Sequence, residues 1–188
     1  MKYLWLTLLL LVPACSHGDH STLLGDFLVV HDCRDGKDVL FQPYEMDGDF
    51  FSVQNLGEVT FIRMQPGGQP LHRSDALAIQ VSDPQFIKNR LGQRIFLDNP
   101  KVRATLHVMG SCPNSTQAMS ADDGSASKKY GHITFTEFGI QKGDKISAQL
   151  VFDLRDDRSG ELVGLDFEAN FEFTVKVGKP YQPFSDTF

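Results

Sequence analysis

Between Val163 and Val177 every second residue is apolar: Val163, Leu165, Phe167, Ala169, Phe171, Phe173, Val175 and Val177. The positions between them carry Gly164, Asp166, Glu168, Asn170, Glu172, Thr174 and Lys176. A helix would scatter the apolar set around its whole surface, whereas a strand sends successive side chains to opposite faces. The segment therefore reads as an antiparallel strand with one face in a core and one toward water. It exceeds the usual strand length of about five or six residues. Such a strand bends, at Ala169 or Asn170, or switches sheets through a bulge.

The same period recurs upstream. Ile146, Ala148, Leu150, Phe152 and Leu154 alternate without a miss, and the polar run Arg155 to Gly160 connects them to the long strand. Val102, Ala104, Leu106 and Val108 alternate with Arg103, Thr105 and His107. Leu77, Ile79 and Val81 alternate, with Ala76 and Ala78 on the other face. Phe50 to Val53 and Val59 to Met64 form two further strands, split by Asn55 and Gly57. Leu24 to His31, Val39 to Phe41, Ile95 to Leu97, and Ile133 with Phe135 and Phe138 complete the set. Pro43 is expected to end the Val39 strand, and Asp47-Gly48 to form a turn.

Ser82-Asp83-Pro84 has a capping side chain followed by proline, a helix start. The run Gln85 to Leu91, closed by Gly92, predicts one short surface helix with Ile87 and Leu91 facing inward. Gly110 to Lys129 is rich in Ser, Ala, Asp and Asn, with Met119 its single sizeable apolar residue. It reads as a long polar loop. Roughly eight to ten strands and one helix must cover their apolar faces by stacking two sheets or closing one. Uneven strand lengths and irregular loops favour stacking. The expected fold is an all-β antiparallel β-sandwich with one short helix and a long polar loop.

Charge narrows the partners. The chain of 188 residues has 18 Lys and Arg against 24 Asp and Glu, a net charge of −6, and no long basic block. Nucleic acid binding needs a positive footprint to replace phosphate counterions, so no nucleic acid partner is expected.

The N-terminus supplies an address. Lys2 precedes an apolar run from Tyr3 to Val12 that meets polar sequence at Ser16, His17, Asp19 and His20. A membrane span needs about 20 apolar residues, so this short run fits an export signal. Val12-Pro13-Ala14-Cys15 resembles the lipobox of bacterial lipoproteins. Pro13 departs from the small residue usual at its position. The resemblance covers about fifteen residues and concerns location alone. It implies cleavage before Cys15, diacylglycerol on its thiol and usually an acyl group on its new amine. Ser16 follows the cysteine, with no Asp there, which by resemblance to enteric sorting rules implies the outer membrane. An ordinary secretory signal cut near Ala14 is the alternative. On the lipoprotein reading residues 1–14 are signal peptide, 15–22 a lipidated tether and 23–188 a single β-sandwich domain. With Cys15 lipidated, Cys33 and Cys112 remain in an oxidising compartment, and a disulfide between them is the simplest expectation. Free thiols, buried or metal-bound, are the alternative.

Candidate chemistry is sparse. His17 and His20 form H-x-x-H in the tether, but a metal site needs three or four fixed ligands and an ordered second shell. His31, His72, His107 and His132 carry no metal-site spacing; His31 with Cys33 could join a cluster built by folding. Asp122-Asp123-Gly124-Ser125, and Asp153 with Asp156 and Asp157, are acidic turns without the EF-hand loop pattern. Asp166, Glu168 and Glu172 share one strand face, where neighbouring carboxylates could do acid/base work on a sugar. The plainer reading is a solvated strand face. No G-x-S-x-G elbow, P-loop or dinucleotide fingerprint occurs. No cofactor is expected.

The expected function is a membrane-anchored noncatalytic envelope lipoprotein. Its β domain would bind a protein, glycan or lipid, or support an envelope assembly. An envelope hydrolase is the first alternative, favoured by a pocket joining His107 to strand-face carboxylates. A metal-binding lipoprotein is the second, favoured by three converging His, Cys or Asp side chains.

Overall fold

A computed structural model of the chain describes residues 18–29, 40–67, 74–108, 117–121, 131–156 and 159–176. In chain order these form β1 (His20–Val29), β2 (Leu40–Gly48), β3 (Phe50–Leu56), β4 (Val59–Gln65) and β5 (Ala76–Val81). They continue as α1 (Pro84–Lys88), β6 (Ile95–Phe96), β7 (Val102–Val108), β8 (Gln117–Ala121), β9 (His132–Phe138), β10 (Lys145–Asp156) and β11 (Leu162–Thr174). Every strand pairing is antiparallel.

The strands build a sandwich of two sheets with one very short helix. One layer is β2-β1-β11-β10-β9-β6, and the other is β3-β4-β5-β7-β8. Two strands belong to both layers. β2 and β3 are separated only by Asp49 and act as halves of one bent strand. The Asp49 N–H donates to Gln65 O at 3.3 Å, and its carboxylate accepts from the Gly67 N–H, so this corner is pinned to β4. β10 crosses at the opposite corner: Ile146 to Val151 pair with β9, while Leu154 to Asp156 pair with β8. Strands that change sheets through bends are how two layers share a corner.

The core follows from the pleat. Met46, Leu23, Ala169, Leu150, Ile133 and Ile95 stand in one cross-strand row over all six strands of the first layer, and all are buried. Ile62, Ile79 and Ala104 form the matching buried row in the second. Between the layers Phe51 of β3 stacks on Phe173 of β11, ring centroids 4.6 Å apart. Phe167 fills a slot made by two glycines. A Cβ on Gly25 or on Gly164 would each come within 2.6 Å of its ring.

Several expectations are corrected. β2 runs through Pro43 rather than ending near it, because among the described residues β2 pairs only with β1. A proline lacks a ladder donor, which an unpaired edge does not require. Asp47-Gly48 is the end of β2, not a turn. The long strand bulges, but not at Ala169 or Asn170: its registers with β1 and β10 both shift between Gly164 and Glu168. Asp166 sits there at φ +53°, and its N–H donates to Asp153 Oδ1 at 3.0 Å. The helix stops at Lys88; Ile87 is buried as expected, but Leu91 is 43% exposed. Part of the long loop is strand β8, laid between β7 and β10. β1 begins at His20, three residues before Leu23.

The Cys33–Cys112 disulfide is also withdrawn, since no disulfide-forming geometry is found among the described residues. A bond needs Cα atoms about 4.4–6.8 Å apart with converging Cβ vectors. Counting thiols establishes that a pair exists, not that the fold brings it together. Cys15, Cys33 and Cys112 all lie outside the described residues. Within the described fold the two layers are joined by the shared strands and the core.

Candidate functional site

An open groove of about 740 Å³ lies at one end of the sandwich. Four segments build it: the β3–β4 hairpin, the start of α1, the residue leading into β7, and the β9–β10 connection. The hairpin turns in two residues, Gly57-Glu58, with Gly57 at φ +63°. A two-residue turn with a positive φ at its first position calls for glycine there. The turn projects Glu58 and places Asn55 opposite Thr60, whose hydroxyl donates to Asn55 Oδ1 at 2.8 Å. Thr60 is itself buried, so Asn55 is held from below.

The facing wall is the helix start. Asp83 caps α1, its Oδ1 accepting from the Phe86 N–H at 2.9 Å, and Pro84 opens the helix. Asp83 Oδ2 accepts from Lys101 Nζ at 2.7 Å. The hydrogen bond from Lys101, and then that from the Phe86 N–H, hold the Asp83 carboxyl below its ordinary 3.8. Lys101 Nζ also lies 4.6 Å from the Phe86 ring centroid, and Arg90 Cζ lies 4.0 Å from the same ring. Cations over an aromatic face are attracted by its quadrupole. Phe86, Asp83 and Lys101 thus form one connected set of contacts along this wall. Ser82 is fixed by its N–H bond to Lys101 O at 2.9 Å.

Glu58 and Lys88 line the same groove with no ion pair among the described residues. Asn55 and Gln85 add amides, Ser82 a hydroxyl, and Ile140 and Pro84 apolar contact. The groove therefore offers one free charge of each sign together with neutral donors and acceptors. Such a lining suits a polar ligand carrying complementary charges.

The residues singled out from sequence fall elsewhere. His17, His31 and His72 lie outside the described residues, as do Asp122-Asp123-Gly124-Ser125 and Asp157. His107 is on the outer face of β7, opposite Ala76. Glu168 and Glu172 are on the outer face of β11, in the other layer, so the structure does not bring them to His107. Glu168 accepts from Gln149 Nε2 at 2.8 Å and Asn170 Nδ2 at 3.3 Å, and Glu172 pairs with Lys145 at 3.4 Å. His132 meets Phe96 edge-on at 6.4 Å, and His20 stands opposite Glu172. Asp156 is buried and closes the β10–β11 connection, accepting from the Ser159 N–H at 2.9 Å. Among the described residues no three His, Cys, Asp or Glu side chains converge as a metal site would require.

Sequence reading named Asp83 as a helix cap and missed Glu58, Lys88 and Lys101. Ser82-Asp83-Pro84 was the available signal, since it placed the helix start that forms one wall. Nothing in the spacing linked it to Glu58 or Lys101, which only the fold brings near. No family model matches the chain, and no curated protein or solved structure matches it.

Proposed function

We propose that the chain is a noncatalytic lipoprotein of the bacterial cell envelope, lipid-anchored through Cys15 at the outer membrane. Its β domain binds a polar envelope partner, a protein segment or glycan, in the groove between Glu58 and Lys88. The observation that carries the binding role is the groove itself, in which opposite charges without an ion pair among the described residues converge with amides from separate segments. Ligand sites are concave and contain a few fixed polar groups. The resemblance of Val12 to Cys15 to a lipobox supports the address, and acyl chains on one residue make stable attachment reasonable.

Radiolabelled palmitate feeding of cells making the wild type or Cys15→Ser tests the anchor. Label in the wild type alone is expected. Equal incorporation by both removes Cys15 as the lipid site. Affinity capture from intact envelopes tests the binding role, with the double charge reversal Glu58→Lys, Lys88→Glu as comparison. A partner recovered with the wild type and lost with the reversal is expected; identical recovery contradicts the groove as the site.

A further inference from the structure

Asp19 is fixed to one end of the sandwich. Its Oδ1 accepts from the Thr174 N–H at 2.9 Å, and its Oδ2 pairs with Lys176 Nζ. Three residues, Ser16 to Gly18, separate it from Cys15. An extended chain advances at most about 3.6 Å per residue, so Asp19 lies at most about 14 Å from Cys15. A lipid on Cys15 therefore keeps this end of the sandwich close to a bilayer. The opposite end, at the β10–β11 connection, lies the length of β10 away, 12 residues or up to roughly 40 Å of strand.

The groove belongs to the tethered end. Thr174 closes β11, and Val175 beyond it is bonded to the β9–β10 connection: the Val175 N–H donates to Asp144 O and the Gly143 N–H to Val175 O, each at 2.8 Å. That connection supplies Ile140 to the groove. From Asp19 to Ile140 the path crosses β11 and β10, three strand spacings or roughly 14 Å. Charge decides which side of this end can approach a membrane. β1, β2 and β11 contain no lysine or arginine, and their outer face exposes Asp26, Glu45, Asp47 and Glu168. Lysines gather instead at the tethered end: Lys176 pairs with Asp19, Lys145 stands opposite Thr174, and exposed Lys142 lies in the β9–β10 connection. The side chains of Lys145 and Lys176 stay 54% and 75% exposed beside their partners Glu172 and Asp19. An anionic headgroup layer attracts such lysines and repels the carboxylate face.

We infer that the end of the sandwich formed by Asp19, Thr174 and the β9–β10 connection rests on the anionic surface of the bilayer that holds the Cys15 lipid. Lys142, Lys145 and Lys176 meet the headgroups there, and the acidic outer face of β1, β2 and β11 turns away. The groove then stands beside the headgroups rather than out in the aqueous space, so its partner is reached at the membrane surface. This placement depends on Cys15 being the lipid site.

The test uses the full chain purified from membranes and reconstituted into vesicles of phosphatidylethanolamine and phosphatidylglycerol. Flotation of the vesicles reads the anchor first: the wild type should float and Cys15→Ser should not. A wild type left behind removes the anchor and this placement with it. Energy transfer to an acceptor dye on the lipid headgroups then reads the orientation. A fluorescent residue replaces Gln141 at the tethered end, or Glu161 at the opposite end, both exposed. Transfer from position 141 is expected to exceed that from 161 several-fold. Chains that float but transfer equally from both positions, or more from 161, leave the anchor standing and overturn the placement. Lys142→Glu with Lys145→Glu should lower transfer from 141 without releasing the chain from the vesicles. Transfer from 141 indifferent to that reversal contradicts the lysines as the contact.

Discussion

The Tyr44 hydroxyl donates to Asp75 Oδ2 at 2.9 Å, tying β2 in one layer to the residue before β5 in the other. The ring of Tyr44 lies between Phe27 and Phe167, with centroids 6.0 and 5.8 Å away. Asp75 is buried. This is a polar link inside the sandwich, with an aromatic body packed in the core and a hydroxyl aimed at a shielded carboxylate. Tyr44→Phe keeps the packing and removes one donor from Asp75. Hydrogen bonds to charged groups contribute about 1.5–3 kcal/mol, and a loss of that order is expected in urea denaturation near neutral pH.

The same pair sets an alkaline limit. Burial first, then the charge of Asp75 and the hydrogen bond to it, push the Tyr44 phenol far above its ordinary 10.0. Above pH 10 the unfolded chain releases this proton while the folded chain keeps it. The unfolded state then binds fewer protons, so stability falls as pH rises. The contribution is complete below the unfolded value and declines by up to about 1.4 kcal/mol per pH unit above it. Denaturation midpoints across the alkaline range should fall more steeply for the wild type than for Tyr44→Phe. Parallel slopes would contradict this role.

Phe167 sets the spacing between β1 and the base of β11. Because a Cβ at Gly25 or Gly164 would meet its ring at 2.6 Å, Gly25→Ala should overpack the slot. Overpacking typically costs about 1–3 kcal/mol. Phe167→Ala should cost more, about 3–5 kcal/mol, because it leaves a cavity. Combining Gly25→Ala with Phe167→Leu should cost less than the sum of the two alone, which a double-mutant cycle measures.

Asp166 occupies left-handed backbone at φ +53°. That conformation costs most residues roughly 1–2 kcal/mol, and glycine is free of the penalty. Asp166→Gly should therefore hold or raise the thermal midpoint. Asp166→Val should lower stability by about 1–2 kcal/mol or more, the β-branch adding to the strain. Equal midpoints for the two variants would argue against the bulge.

How legible was this fold? The alternations at 102–108, 146–154 and 163–177 each marked a strand, because a period of two with one apolar face has few other solutions. Gln117–Ala121 carried no such pattern, and its strand exists because β7 and β10 flank it. Pro43 reads as a terminator only if its neighbours are unknown; on an edge it is compatible with a strand. The bulge escaped because Leu165 and Asp166 still alternate in sequence while the backbone adds a residue between registers. The groove escaped for a topological reason. Asn55, Glu58, Asp83, Lys88 and Lys101 come from separate turns and a helix, and their meeting depends on the stacking of elements rather than on spacing.

The groove wall has its own test. Asp83 both caps α1 and pairs with Lys101. Asp83→Asn keeps a capping oxygen and loses the charge pairing, whereas Asp83→Ala loses both. Thermal midpoints near neutral pH should fall in the order wild type, Asn, Ala. The Asp83 carboxyl is held below 3.8, so its stabilisation is present above that value and lost as pH falls below it. The gap between wild type and Asn should therefore close in acid.

Site-directed photocrosslinking in intact cells addresses binding through the groove most directly. A photoreactive residue replaces Gln85 on the groove wall, and in a second strain replaces Asn170, exposed on the outer face of the other layer. A discrete adduct from position 85 that is absent from position 170, and abolished by Glu58→Lys with Lys88→Glu, is the expected result. No adduct from position 85, or the same adduct from both positions, would contradict the groove as the binding site.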